Sequence, residues 1–152
     1  MMVCYFCAPC TQMYANCYIP AWWEWFPAAA NGISGLSFSP GQTVTATVIA
    51  DSTTAGRALI TNDSEGIGIE VTISGESAAL CMQDAEWIVE DFDENGGMVP
   101  FADFGTVTFI GAVAASSHGE VGPGGGDTFD IYQNKVLTSV SISGEDVTVS
   151  YV

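Results

Sequence analysis

Positive charge is nearly missing from this 152-residue chain: only Arg57 and Lys135 stand against eighteen acidic residues, giving a formal net charge of −16 at pH 7. Nucleic-acid binding needs clustered Lys and Arg to neutralise phosphates. No nucleic-acid partner is therefore expected, and an anionic membrane surface is disfavoured on the same ground. No apolar run approaches the ~20 residues of a membrane-spanning helix, so no membrane partner is expected either. Histidine occurs once, as His118 beside the glycine-rich stretch GEVGPGGGD. It is read as a solvent-exposed loop residue, not as the base of a nucleophile triad. The D-T/S-G signature of pepsin-like enzymes is absent too, because DSTTAG (51–56) carries two intruding residues and reads as a turn. Sustained helical period and capping boxes are missing as well. No Lys or Arg precedes Arg57, so the apolar opening MMVCYFCAPC lacks the basic start of a secretory signal.

What the chain has in excess is carboxylate. This acidity serves solubility or life at low pH, where protonation relieves self-repulsion. The length fits one domain, which on folding buries about 70% of the surface that the unfolded chain exposes. Five cysteines occur, Cys4, Cys7, Cys10, Cys17 and Cys81, and an odd number leaves at least one thiol unpaired within the chain. The spacing C-x2-C-x2-C-x6-C offers four thiolates to zinc or an iron–sulfur cluster, although its last gap fits neither usual pattern. The other use is disulfides in an oxidising compartment, with Cys81 paired to one of the early four. No metal or other cofactor is expected.

Period-two alternation runs through most of the remainder. TVTATVIA (43–50) alternates Val44, Ala46, Val48 and Ala50 with threonines, and IGIEVTI (67–73) alternates Ile67, Ile69, Val71 and Ile73 with Gly, Glu and Thr. Both read as half-buried strands. TVTFI (106–110), KVLTSVSI (135–142) and DVTVSYV (146–152) repeat the pattern, the last two forming a hairpin across SGED. Turn residues fall regularly between them, as all-β proteins space them. The pattern predicts two antiparallel sheets packed face to face.

Two stretches carry more than strand information. AWWEWFP (21–27), read as a strand, places Trp22, Glu24 and Phe26 on one face and Trp23 and Trp25 on the other. It is either an edge strand whose aromatics pack core, or the wall of a substrate groove with one polar group fixing orientation. AEWIVEDF (85–92) places Glu86, Ile88, Glu90 and Phe92 on one side, and Trp87, Val89 and Asp91 on the other. Glu86 and Glu90 would then lie about 13 Å apart, too far for a carboxylate dyad.

These two stretches, with VPFADFGTVTF (99–109) and SVSISGEDVTVSYV (139–152), resemble in order the segments of the fungal glutamic peptidases, the eqolisin or A4/G1 family. The resemblance implies a concanavalin A-like jelly-roll sandwich over residues 18–152, incomplete at its N-terminus, preceded by a Cys-rich non-matching segment, 1–17. It also implies an extracellular acid endopeptidase acting on polypeptide. Glu90 matches the family's catalytic glutamate, and Trp22 and Glu24 match the Trp and Glu of its aromatic strand beside the groove. Cys81 stands where family members carry a half-cystine. The family's second catalytic group is a glutamine ahead of the aromatic strand, and Gln12 is the single glutamine in residues 1–20.

Two other classes stay open. One is a non-enzymatic β-sandwich, either a degenerate fragment of that family inactive through loss of the catalytic glutamine or a module that binds through the aromatic groove. The other is a sandwich-type glycosidase, which needs Glu90 and a second carboxylate such as Glu24 about 5–9.5 Å apart.

Overall fold

The computed structural model describes residues 2–6, 19–91, 93–94, 96–98 and 100–152. Among these the regular elements are all strands, every pairing is antiparallel, and there is no helix. The chain divides into two compact units, Met1–Asp84 and Ala85–Val152.

The first unit holds two three-stranded sheets. One runs β1 (Met2–Phe6), β2 (Ile19–Trp25), β3 (Asn31–Phe38), and the other runs β4 (Val44–Ser52), β5 (Ala55–Asn62), β6 (Ile67–Ile73). They meet through a core of Ala21, Ile33, Leu36 and Phe38 from the first sheet and Ile60 from the second, with Trp23, Val44, Ile69 and Val71 packed around it. This is sheet-on-sheet packing, built from the inward residues of each strand.

The middle strand of the second sheet has the strictest alternation. Gly56, Ala58, Ile60 and Asn62 are buried along β5, while the residues between them are half-exposed. Its turn from β4 falls at Thr53 and Thr54, as DSTTAG implies. Strands β4 and β6 match the TVTATVIA and IGIEVTI patterns, but the predicted apolar face of β4 is not half-buried. Val48 is 45% exposed, because β4 is an edge strand and of its residues only Val44 joins the core.

Asn62 is fully buried, which costs free energy unless the amide is hydrogen-bonded; its Nδ2 is bonded, while its Oδ1 has no partner among the described residues. Its Nδ2 donates to the Ser37 carbonyl at 3.0 Å and to Gln42 Oε1 at 2.9 Å. Gln42 Nε2 in turn donates to Glu65 Oε1 at 2.7 Å. This amide relay ties the β3–β4 and β5–β6 connections together. On the surface, Arg57 Nε and Nη2 donate to the two Asp51 oxygens at 3.0 Å each. The hydrogen bond from Arg57 holds the Asp51 carboxyl below its usual value. A lowered folded-state pKa means that the pair contributes above the unfolded aspartate value and is lost as pH falls through the folded one.

The second unit centres on the sheet β12 (Thr138–Ser143), β13 (Asp146–Tyr151), β9 (Thr106–Phe109). The C-terminal hairpin predicted across SGED is present, with Ser143 opposite Asp146 and Gly144 at φ 63°, a conformation glycine adopts without strain. Its ladder starts at Thr138, not Lys135, and Val136 makes an isolated bridge to Tyr132. Two small hairpins complete the described elements: β7 (Asp93–Glu94) with β8 (Gly97–Met98), and β10 (Ala114–Ser116) with β11 (Gly119–Val121). Ala112, Val147 and Val149 form the buried core of this unit, packed by Trp87, Val89, Phe104, Phe109, Val140 and Ile142.

Truncation of Ile60 tests this packing. Ile60→Ala should lower the free energy of unfolding by about 2–5 kcal/mol, whereas Val48→Thr on the exposed face should stay within about 0.5 kcal/mol. Denaturant midpoints measure both. Equal losses would show that the burial pattern is misassigned.

Candidate active site

Glu90 owes its orientation to its neighbours. Trp87 and Val89 are half-buried against Ala112, Val147 and Val149, while Glu86, Ile88 and Glu90 are exposed. The period-two alternation of AEWIVEDF is therefore real, but residues 85–91 belong to no strand. Extended backbone keeps two-sidedness without a ladder whenever one side has a core to fill. Phe92 lies outside the described residues.

Asp91, on the side opposite Glu90, is half-buried and engages Gln133. Gln133 Nε2 donates to Asp91 Oδ1 at 2.9 Å and to Oδ2 at 3.2 Å. A tight turn presents the glutamine. The Leu137 amide donates to the Ile131 carbonyl at 2.8 Å, the Gln133 amide to the Lys135 carbonyl at 3.0 Å, and Asn134 adopts φ 61°. Asparagine tolerates that left-handed conformation better than most residues. The turn is fastened to β12 by buried Thr138, whose Oγ1 accepts from the Ile131 amide at 2.7 Å, and by Asp130, whose Oδ1 accepts from the Val140 amide at 3.1 Å. Nothing in the period of YQNK marks Gln133 as a partner of Asp91; a polar Gln-Asn pair between two apolar runs is a turn signal only.

In the first unit the aromatic strand is two-faced as its sequence predicts. Ala21 and Trp25 are each 1% exposed, and Trp23 packs on the core beside them. The Trp25 indole N–H donates to the Ala78 carbonyl at 2.8 Å, the kind of partner a buried indole requires. Trp22 and Glu24 are half-exposed on the other face, followed by Phe26. The edge-strand reading is corrected here: β2 lies between β1 and β3. Trp22 stands opposite Gly32, where an added Cβ would meet nothing within 4 Å. The outward face of β2 thus offers an aromatic surface beside open space, with a carboxylate two residues along the same strand. Trp22 and Glu24 belong to the first unit and Glu90 to the second.

The other sequence candidates fall as follows. Gln12 lies outside the described residues, as do Cys7, Cys10 and Cys17 of the thiolate cluster. Cys81 is exposed and its thiol is free, so the expected bridge from it to one of the early cysteines is not formed. A bridge needs a facing thiol with Cα atoms within about 7 Å, and Cys81 instead looks into solvent. His118 is exposed in the β10–β11 turn, its amide donating to Ser116 Oγ at 3.1 Å. Among the described residues no group of three or more His, Cys, Asp or Glu is placed to hold a metal.

The peptidase A4 family model matches residues 10–151. Aspergillopepsin-2 of Aspergillus niger is 44% identical over 134 residues, covering 87% of this chain and 48% of that protein. The chain spans about half the length of the curated relatives it matches. Among solved structures, the aspergilloglutamic peptidase of Aspergillus niger superposes with a TM-score of 0.88 at 40% identity, covering 99% of this chain and 88% of that one. A scytalido-glutamic peptidase solved with a transition-state-analogue inhibitor superposes with a TM-score of 0.82 at 34% identity, over 88% of this chain and 69% of that one.

Two outcomes follow from the site geometry. Trp25→Ala should cost about 3–5 kcal/mol of stability, and Trp22→Ala clearly less, since Trp22 is only partly buried where Trp25 is fully buried; urea unfolding of the two variants decides, and equal costs would remove Trp22 from the open face. Cys81 should be alkylated in the native chain without reductant. Protection released only by reductant would show a disulfide instead.

Proposed function

The chain belongs to the peptidase A4 family, and from that premise we propose that it hydrolyses peptide bonds in acid with Glu90 as general base. The observation that carries this reading is the placement of Glu90: an exposed carboxyl in a segment whose inward side chains are packed into a core. As carboxylate it takes a proton from a water molecule while the water oxygen bonds to the scissile carbonyl carbon. The protonated Glu90 then delivers that proton to the leaving nitrogen as the C–N bond breaks. No covalent enzyme intermediate is needed. A glutamine amide stabilises the tetrahedral oxyanion, and Gln12 is the candidate from its place before the aromatic strand.

Acid activity is what membership of the family suggests; Glu90 must act first as a base and then as an acid, so both its ionised and its protonated forms take part in one turnover. The substrate is a polypeptide, held by Trp22 through apolar contact and by Glu24 through hydrogen bonding. Extracellular residence in acidic surroundings suits a chain with a formal net charge of −16. The open aromatic face beside Gly32 would also serve a binding module without catalysis, which makes that the second reading.

Cleavage of a denatured protein across acid pH by the wild type, Glu90→Gln and Glu86→Gln separates them. Loss of the base should reduce the rate about a hundredfold or more, while Glu86→Gln should remain within a few-fold of wild type. Cleavage undiminished by Glu90→Gln would refute the assignment. A folded wild type that binds peptide and never cleaves it would favour the binding module.

A further inference from the structure

We propose that Gln133 is a positioning residue for Glu90: by gripping Asp91 it fixes the backbone from which the neighbouring glutamate projects, a role that rests on Glu90 being the base. Residues 85–91 lie in none of the described strands. On the inward side, Trp87 and Val89 pack on the core. Beyond Glu90, Asp91 receives Nε2 of Gln133 on both carboxylate oxygens, at 2.9 and 3.2 Å. Along the chain, Glu90 is thus bracketed by packing before it and a hydrogen-bonded carboxyl after it. Because successive side chains point to opposite sides of extended backbone, turning Glu90 about the chain axis drags Asp91 away from its donor.

The donor is itself rigid. Its turn is closed by Leu137 N to Ile131 O at 2.8 Å and fastened to β12 through Thr138 and Asp130. An amide donor also suits acid chemistry. It does not titrate, and Asp91 retains an acceptor oxygen whether ionised or protonated. A lysine in its place would lose its electrostatic hold on Asp91 once the carboxyl protonates, and would set a cation beside the base.

The test uses the 152-residue chain in five forms: wild type, Gln133→Leu, Asp91→Ala, the double variant, and Asp91→Asn, with Glu90→Gln as the reference for loss of the base. Leaving one partner of a hydrogen bond unsatisfied corresponds to about a five- to hundredfold effect on an equilibrium, and a loss of kcat in that range is expected for each single variant, with KM changed by less than about twofold. The double variant should lose no more than the worse single one, because one contact is removed either way. Asp91→Asn keeps an acceptor and should stay near wild type. Amide exchange over residues 85–91 should speed up by about tenfold in Gln133→Leu, with β12 and β13 unchanged. A kcat for Gln133→Leu within twofold of wild type, with Glu90→Gln inactive, overturns the positioning role and leaves the base intact. Full activity of Glu90→Gln overturns the base assignment instead, and exchange over 85–91 then decides whether the clamp exists. Should Gln133→Leu fail to fold, Asp91→Ala and Asp91→Asn give the same contrast from the acceptor side.

Discussion

The packing of Trp87 and Val89 against Ala112, Val147 and Val149 is the interaction on which the outward placement of Glu90 depends. Full burial of a large apolar side chain stabilises by about 1.5–3 kcal/mol, and these two are only half-buried. Fixing the backbone costs about 1–2 kcal/mol per residue, and residues 85–91 have no ladder to offset it. The packing of Trp87 and Val89 sets which side of the segment faces water. The hydrogen bonds from the Gln133 amide to Asp91 add a tie one residue past Glu90.

The same logic operates in the first unit with stronger anchors. Trp25 is buried and hydrogen-bonded through its indole, and Trp23 packs beside it, so Trp22 and Glu24 between and before them are turned outward. In both units the functional candidates are the outward neighbours of aromatic residues that fill a core. A substitution of the inward set would thus impair function without touching substrate, through loss of orientation. The central position of β2, paired on both sides, adds the rigidity that residues 85–91 lack.

Much of this was legible because alternation is a local signal. TVTATVIA, IGIEVTI, TVTFI and the C-terminal hairpin each contain their own period, and the faces of AWWEWFP follow directly from it. Other features depend on partners far along the chain. AGRALITN conceals a central strand because its inward set is Gly56, Ala58, Ile60 and Asn62, whose hydropathy does not alternate cleanly with Leu59 outside. NGISGLSF loses its period where β3 bulges: Ile19 faces Phe38 but Ala21 faces Ile33, and Gly35 there takes φ 81°. The Asp91–Gln133 contact joins residues 42 positions apart and leaves no trace in either segment. Glu90, Trp22 and Glu24 were readable as candidates by resemblance, yet what orients each of them is tertiary.

Acid bears on stability as well as on the proposed base. With eighteen carboxyl residues and two basic ones, protonation relieves repulsion across the chain even as the Asp51–Arg57 pair is lost. The role of Glu90 is measured most directly by a crystal structure of this chain with a peptide-based transition-state analogue bound. The Glu90 carboxyl should lie about 2.6–3.2 Å from the analogue hydroxyl that takes the place of the attacking water. An analogue seated with that hydroxyl on another group, and Glu90 left facing solvent, would contradict it.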